Sequence, residues 1–575
     1  MYRMFKRIAK SSFVLAVFFM AIQVLSSLYL PTLTSNIIDK GVAKSDIAYI
    51  WKVGFAMVGY SLISILAAVA NTFFATRESQ KLGRSLHSDV YQKVENFSND
   101  EFEQFGTASL ITRTTNDVTQ IQNVTQMFLR MMIRAPITLV GASFLAYSRD
   151  AQLTKIFLIV LPIMAVVIVG TMRFAVPLFK AMQAKTDRLN LVFREGLTGV
   201  RVIRAFNKEE YEEKRFEEAN MDYTNNAVRV QTIIAMMNPL MTLIMSGTNV
   251  AIVWWGGHYI ASQSMQVGNL IAFMTYSTQI LMSFMMLSMI FVMVPRAQAS
   301  AERIFALLDT KEEVTDSEHP VAIEPQFESA TLTFDDVSYR YKGAENCAVN
   351  NISFQVKSGD VVAIIGGTGS GKSTLVNLIP RFYDVEKGEI LVNGVDIRQV
   401  KQHALRSLIG FVPQQSILFS GTLRMNMQYG KADATDDEIW RALSIAQAKE
   451  FIDKLPDGLD TWVEQGGSNF SGGQKQRLAI ARALVRKSDI YVFDDSFSAL
   501  DFKTDSLLRK QLRESITDAI KVIVAQRVST VMDADMILVL NQSEIVGKGT
   551  HEELLANNQT YREIVDSQLR GDERS

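Results

Sequence analysis

Nine consecutive residues, Gly366, Gly367, Thr368, Gly369, Ser370, Gly371, Lys372, Ser373 and Thr374, have the types and spacing that hold a polyphosphate. They follow an apolar strand-like run (361–365) and open an apolar helical pattern (375–379), the context in which G-x-x-x-x-G-K-[ST] acts as a phosphate loop. Glycines let backbone N–H groups approach phosphate oxygens with no Cβ in the way. Lys372 offers a mobile positive charge to the β- and γ-phosphates, Ser373 a hydroxyl to Mg²⁺, and the helix N-terminus its partial charge. A second set lies downstream. The run Ile490-Tyr491-Val492-Phe493-Asp494 reads as a buried strand ending in a carboxylate that can hold Mg²⁺ through its water shell. Ser471-Gly472-Gly473-Gln474 is another glycine-rich turn before a helical pattern, again suited to an anion. Tyr341, some 30 residues before Lys372, is placed to stack on a nucleobase, and a buried core tyrosine is the competing reading.

The elements that must position these groups divide the chain in two. At 575 residues it is too long for one hydrophobic core. From about residue 328 onward, strand and helix patterns alternate, as in a parallel sheet with crossover helices. A charged linker (309–327) precedes that part. The first 308 residues are different in kind. Six stretches (12–37, 51–74, 127–147, 153–178, 233–260 and 270–295) are long and apolar enough to cross a bilayer, which takes roughly 20 residues each. The first is too long, and lacks the small-residue end, for a cleavable signal. Arg3, Lys6, Arg7 and Lys10 precede it and predict a cytoplasmic N-terminus; six spans then put both termini and the second half inside. A soluble enzyme is excluded. The formal net charge of −1 gives no argument for nucleic acid, and the single Cys347 excludes an intrachain disulfide.

Two charged connections (78–122 and 180–231) are largely helical in pattern and should project well past the headgroups. Their tips, 99–106 and 199–206, are expected to touch the cytosolic half. The sixth span carries Met274, Met282, Met285, Met286, Met289 and Met293 among phenylalanines. As a stripe they predict an apolar, adaptable cavity, although any one methionine is more simply packing.

The order of these motifs resembles the ATP-binding cassette family, and the six-span half in front resembles its exporter branch. The resemblance covers essentially the whole chain. It implies a membrane α-helical domain of six transmembrane helices followed by an α/β P-loop ATPase domain. It also implies ATP and Mg²⁺ as cofactors, with Tyr341 as the base-stacking aromatic and Gln414 as the Mg²⁺-sensing glutamine. Residues 471–474 (Ser471, Gly472, Gly473, Gln474) match the signature motif, with Phe470 in the usual leucine position. Asp501 ends the loop that crosses to a partner, and Glu464 lies in the segment that meets the intracellular loops. Cassettes of the family pair head to tail, each ATP lying between the phosphate loop of one and the signature of the other. A chain with one cassette therefore resembles a half-transporter that must dimerise.

Two positions depart from the family. Asp495 stands where a catalytic glutamate is expected, and Gln526 where the γ-phosphate-sensing histidine is expected. Aspartate is one methylene short, and a base displaced by about 1 Å can lose on the order of 100-fold in rate. Glutamine donates a hydrogen bond but cannot become cationic. Together they predict a site that binds ATP and hydrolyses it slowly. A homodimer would have two impaired sites, so a heterodimer with a second half-transporter subunit is expected. Its cargo would be hydrophobic or amphiphilic small molecules, multidrug fashion, moved outward across the cell membrane. A lipid flippase, or an ATP-gated regulator without net pumping, is the alternative.

Overall fold

The computed structural model describes residues 2–7 and 9–572, without the side chains at positions 2, 5, 288–292, 295, 296 and 569–572. It separates into two compact units: Met1–Lys93 with Ala108–Asp309, and Val94–Thr107 with Thr310–Ser575.

The first unit is helical. Its long elements are Lys10–Asn36, Ile47–Glu95, Ala151–Thr198, Glu209–Ala261 and Val267–Leu308. The third traverse runs from Thr107–Thr112 through π-helical turns to Arg134–Arg149. Six of these stretches are apolar and long enough to cross a membrane. At 53 residues, Glu209–Ala261 reaches about 80 Å, more than twice the hydrocarbon thickness. Pro31, Pro162, Pro177 and Pro239 all sit inside helices. Such prolines are tolerated in a membrane because neighbouring helices re-satisfy the freed carbonyls. Buried amides tie helices together: Asn71 Nδ2 donates to Ala16 O (2.8 Å) and Asn226 Nδ2 to Leu178 O (3.0 Å). Asp39 reaches across to accept from the Gly268 N–H (2.7 Å), capping the helix Val267–Leu308. Large apolar side chains such as Leu158, Phe174, Leu243 and Val250 stay exposed, as lipid or a second subunit requires.

The sixth-span stripe does not form one face. Phe273 is buried and stacked on Phe157 (5.7 Å between centroids), Phe284 and Met285 pack with Met164 and Met241, and Met282 is exposed. Met289 and Phe291 lie outside the described side chains. A cavity of about 540 Å³ lies elsewhere, between Ala151–Thr198 and Glu209–Ala261, lined by Ile156, Ile159, Ile163, Ile244 and Trp255 among others.

The second unit holds β1 (Thr331–Tyr339), β2 (Val349–Lys357), β3 (Val361–Gly366), β4 (Lys387–Val392), β5 (Val395–Asp396), β6 (Ile409–Val412), β7 (Gly421–Thr422), β8 (Trp462–Val463), β9 (Ile490–Asp494), β10 (Ile520–Val524), β11 (Met536–Asn541) and β12 (Glu544–Gly549). A six-stranded sheet has the order β12-β11-β3-β10-β9-β6, parallel except for β12. Its inner strands β9 and β10 are buried at every position, which fits their largely apolar composition. An antiparallel sheet, β2-β1-β4-β5, lies beside it in the same unit. Residues 94–107 come from the long connection after the second span and pack with this unit.

Candidate functional site

The phosphate loop leaves β3 between β11 and β10 and turns into the helix Lys372–Leu378. The turn demands glycine where neighbouring backbone closes in. A Cβ on Gly366 would lie 2.2 Å from Leu540 O, and one on Gly371 (φ +96°) 2.3 Å from Ala348 O. Lys372 folds back over the loop, donating from Nζ to the carbonyls of Gly366 (2.9 Å) and Gly367 (2.7 Å). Burial holds its pKa below the usual lysine range, with the charges of Asp495 and Asp494 opposing the shift. The Ser370 hydroxyl is buried with no hydrogen-bond partner among the described residues. Gly367, Thr368 and Gly369 are exposed. This is a cradle with its cation in place, and it fits a nucleotide polyphosphate.

Asp494 ends β9, where Ser373 Oγ donates to its Oδ1 (3.0 Å). Hydroxyl and carboxylate together suit a hard divalent cation. Among the described residues no group of three or more His, Cys, Asp and Glu side chains could hold a metal alone. The remaining Mg²⁺ ligands would therefore come from phosphate oxygens and water. Burial pushes the carboxyls of both Asp494 and Asp495 above the usual carboxylate range, and the charge of Asp495 adds to the shift at Asp494.

Asp495 follows immediately, in the left-handed region (φ +47°). Its Oδ2 accepts from Gln526 Nε2 (2.8 Å) and from Gln414 Nε2 (3.4 Å). The structure thus brings Asp495, Gln414 and Gln526 into one cluster beside the Ser373–Asp494 pair. Gln414 is engaged with Asp495 rather than with that pair.

Ser471 caps the helix Gly472–Leu484, and the Gln474 side chain closes the capping box with the Ser471 N–H (2.9 Å). Ser471 and Gly472 are exposed, so the helix N-terminus is presented outward. The described hydrogen bonds link none of 471–474 to 366–374. Asp501 serves locally as the cap of Phe502–Ser515, accepting from the Thr504 N–H (2.9 Å). Tyr341 is half-buried beside the phosphate loop. Its ring packs edge-on against Tyr339 and Tyr383, and its hydroxyl is tied to Thr374 of the phosphate loop (2.9 Å).

Three contacts had no local mark in the sequence. The buried Gln476 bridges Asp495 O (3.4 Å) and Ala499 N (3.2 Å), joining the signature helix to the loop after β9. Tyr339 donates to Asp100 Oδ2 (3.2 Å), placing the tip Asn99–Phe105 against the tyrosine cluster. Gln568, on Gln559–Asp572, bonds to the Gln526 carbonyl and the Val528 N–H. Only the last had a possible signal, as Tyr561, Ile564, Val565 and Gln568 share helical spacing. The second tip differs from the first. Val200–Ala205 buries no residue, and Val202 and Phe206 are 61% and 71% exposed.

Six membrane-length helices and a phosphate-loop α/β unit in one chain define one half of a nucleotide-driven transporter. The ABC transporter transmembrane region family matches residues 13–284, and the ABC transporter family matches 349–498. An uncharacterised ABC transporter ATP-binding protein of Mycobacterium tuberculosis (strain ATCC 25618 / H37Rv) is 42% identical over 95% of this chain and 94% of its own. An ATP-dependent lipid A-core flippase of Pseudomonas aeruginosa is 34% identical over 87% and 82%, respectively. The structure of a bacterial Atm1-family ABC exporter with ATP bound superposes with a TM-score of 0.81 at 27% identity, covering 97% of this chain and 99% of that one. The chain belongs to the ABC transporter family, as an exporter half-transporter with its transmembrane and ATP-binding domains in one polypeptide.

Proposed function

We propose that this half-transporter pairs with a different one and contributes a site that holds ATP and hydrolyses it slowly. One observation carries the reading: the carboxylate at the hydrolytic position is the short Asp495, already occupied by the carboxamide of Gln526 at 2.8 Å. A general base must reach its proton within hydrogen-bond distance, and Asp495 is both a methylene short and engaged. Binding is served separately. Residues 366–374 hold the phosphates, Tyr341 takes the base, and Ser373, Asp494 and Gln414 attend the Mg²⁺, which supplies charge neutralisation at the phosphates when bound. Ser471, Gly472, Gly473, Gln474 and Asp501 face outward to complete the partner's ATP site. Exposed Val202 and Phe206 suit a partner cassette.

On this reading residues 1–308 form the transmembrane domain, 309–327 the linker and 328–575 the cassette, with the cassette and both termini cytoplasmic. The assembly moves hydrophobic or amphiphilic compounds out of the cell by alternating access. A lipid or lipid-like cargo is the second reading, and the name of the Pseudomonas aeruginosa flippase favours it. ATPase activity measured on this chain alone, and then with the chain that co-purifies, tests the pairing. Low activity alone and a large rise on pairing, lost when the partner's catalytic glutamate becomes glutamine, is the expected result. Robust turnover by the isolated chain overturns it.

A further inference from the structure

β10 ends at Val524, and beyond it the backbone of residues 526–528 has no neighbouring strand. A side chain takes the strand's place. Gln568 Oε1 accepts from the Val528 N–H (2.7 Å), and Gln568 Nε2 donates to Gln526 O (2.7 Å). One carboxamide, with a donor and an acceptor at fixed separation, thus holds the carbonyl of Gln526 and the N–H of Val528 two residues on. The helix Gln559–Asp572 aims it there. Tyr561 is fully buried and Val565 nearly so, and Ile564 packs on the same core. Gln568 is seven residues beyond Tyr561 and three beyond Val565, on the same face. The Tyr561 hydroxyl is also tied to His551 Nδ1 (2.7 Å), and its N–H to Asn558 Oδ1 (2.8 Å). The seat of the helix is therefore fixed, and its last described polar contact lands on the loop that carries Gln526.

We infer that Gln568 is a positioning residue for Gln526, and that through it the C-terminal helix sets how long this site retains its nucleotide. This rests on reading the site as an ATP site with Gln526 at the γ-phosphate position. Gln526 has one carboxamide to place. With its carbonyl and the backbone two residues on held by Gln568, that carboxamide stays over Asp495 and the adjoining phosphate cradle. With the backbone free, the loop samples positions from which the side chain reaches neither.

The test uses the full-length chain in nanodiscs with radiolabelled ATP and Mg²⁺, together with amide hydrogen exchange over residues 526–528. Gln568→Ala should raise exchange at Val528 about tenfold and shorten ATP retention about fivefold, the scale of one lost hydrogen bond. Gln568→Glu keeps the acceptor and loses the donor, so it should preserve Val528 protection and give an intermediate retention. In a Gln526→Ala background, adding Gln568→Ala should change retention less than twofold, because the group it positions is gone. An equal loss in both backgrounds would mark Gln568 as a general support of the fold and overturn the inference. Unchanged Val528 exchange in Gln568→Ala would remove the clamp itself. Wild-type protein that retains no ATP would instead overturn the nucleotide reading, and the retention claim with it.

Discussion

The two sides of the nucleotide site contrast. On the phosphate side Lys372 lies over its loop, and Ser373 and Asp494 are paired at 3.0 Å. On the hydrolytic side the carboxylate is short and two glutamines converge on it. On the proposed reading, holding a polyphosphate and cleaving it fall to separate residues only one position apart, Asp494 and Asp495. Either could change without the other.

The contrast can be broken most forcefully at Lys372. Lys372→Ala removes a cation from a cradle that no other described lysine or arginine side chain enters by hydrogen bond. ATP affinity, measured by equilibrium binding, should fall about 100-fold. Asp495→Glu restores the missing methylene, and single-turnover hydrolysis at this site should rise about tenfold. No rise would mean that Gln526 and Gln414, not reach, set the slow rate. Asp100→Ala strips the Tyr339 hydroxyl of its acceptor and loosens the ring that Tyr341 leans on. It should weaken ATP binding a few-fold and leave the single-turnover rate unchanged, since one ordinary hydrogen bond is lost on the binding side alone. The smallest effect is expected from Asp495→Asn. In the paired transporter steady-state turnover should change less than twofold, and a large loss would show that this carboxylate is the working base.

What could be read from the chain beforehand followed the range of the physics involved. Apolar length is a local property, so six spans were visible. The phosphate loop was visible because its strand, glycines and helix are contiguous. Asp495 and Gln526 lie 31 residues apart, but family resemblance placed both, and the 2.8 Å bond joins them. The sixth-span methionines could be read from composition, but not where each side chain packs. As a stripe they favour an apolar cavity, and among the described side chains Met274 and Met285 pack against the helical cores while Met282 is exposed. Gln476 was invisible because a glutamine on a helix looks solvated until its distant partner is known, and the helical spacing of Gln568 with Tyr561 and Val565 marks its face but not its partner. Tyr339 was masked by Tyr341 two residues later. The two rings meet edge-on just past the end of β1, and the resemblance accounts for only the second.

The segment Val94–Thr107 has a consequence for how the molecule is made. It is part of the second unit, yet the rest of that unit begins at Thr310, about 200 residues later. At ribosomal speeds of roughly 5–20 residues per second, this piece waits about 10–40 s for the body it completes. Four helices must enter the membrane during that interval. Asp100 and Glu101 meet Tyr339 and the Glu313 N–H only afterwards. A fragment starting at Thr310 would never receive them, so it would leave the Tyr339 hydroxyl and the Glu313 N–H without these partners.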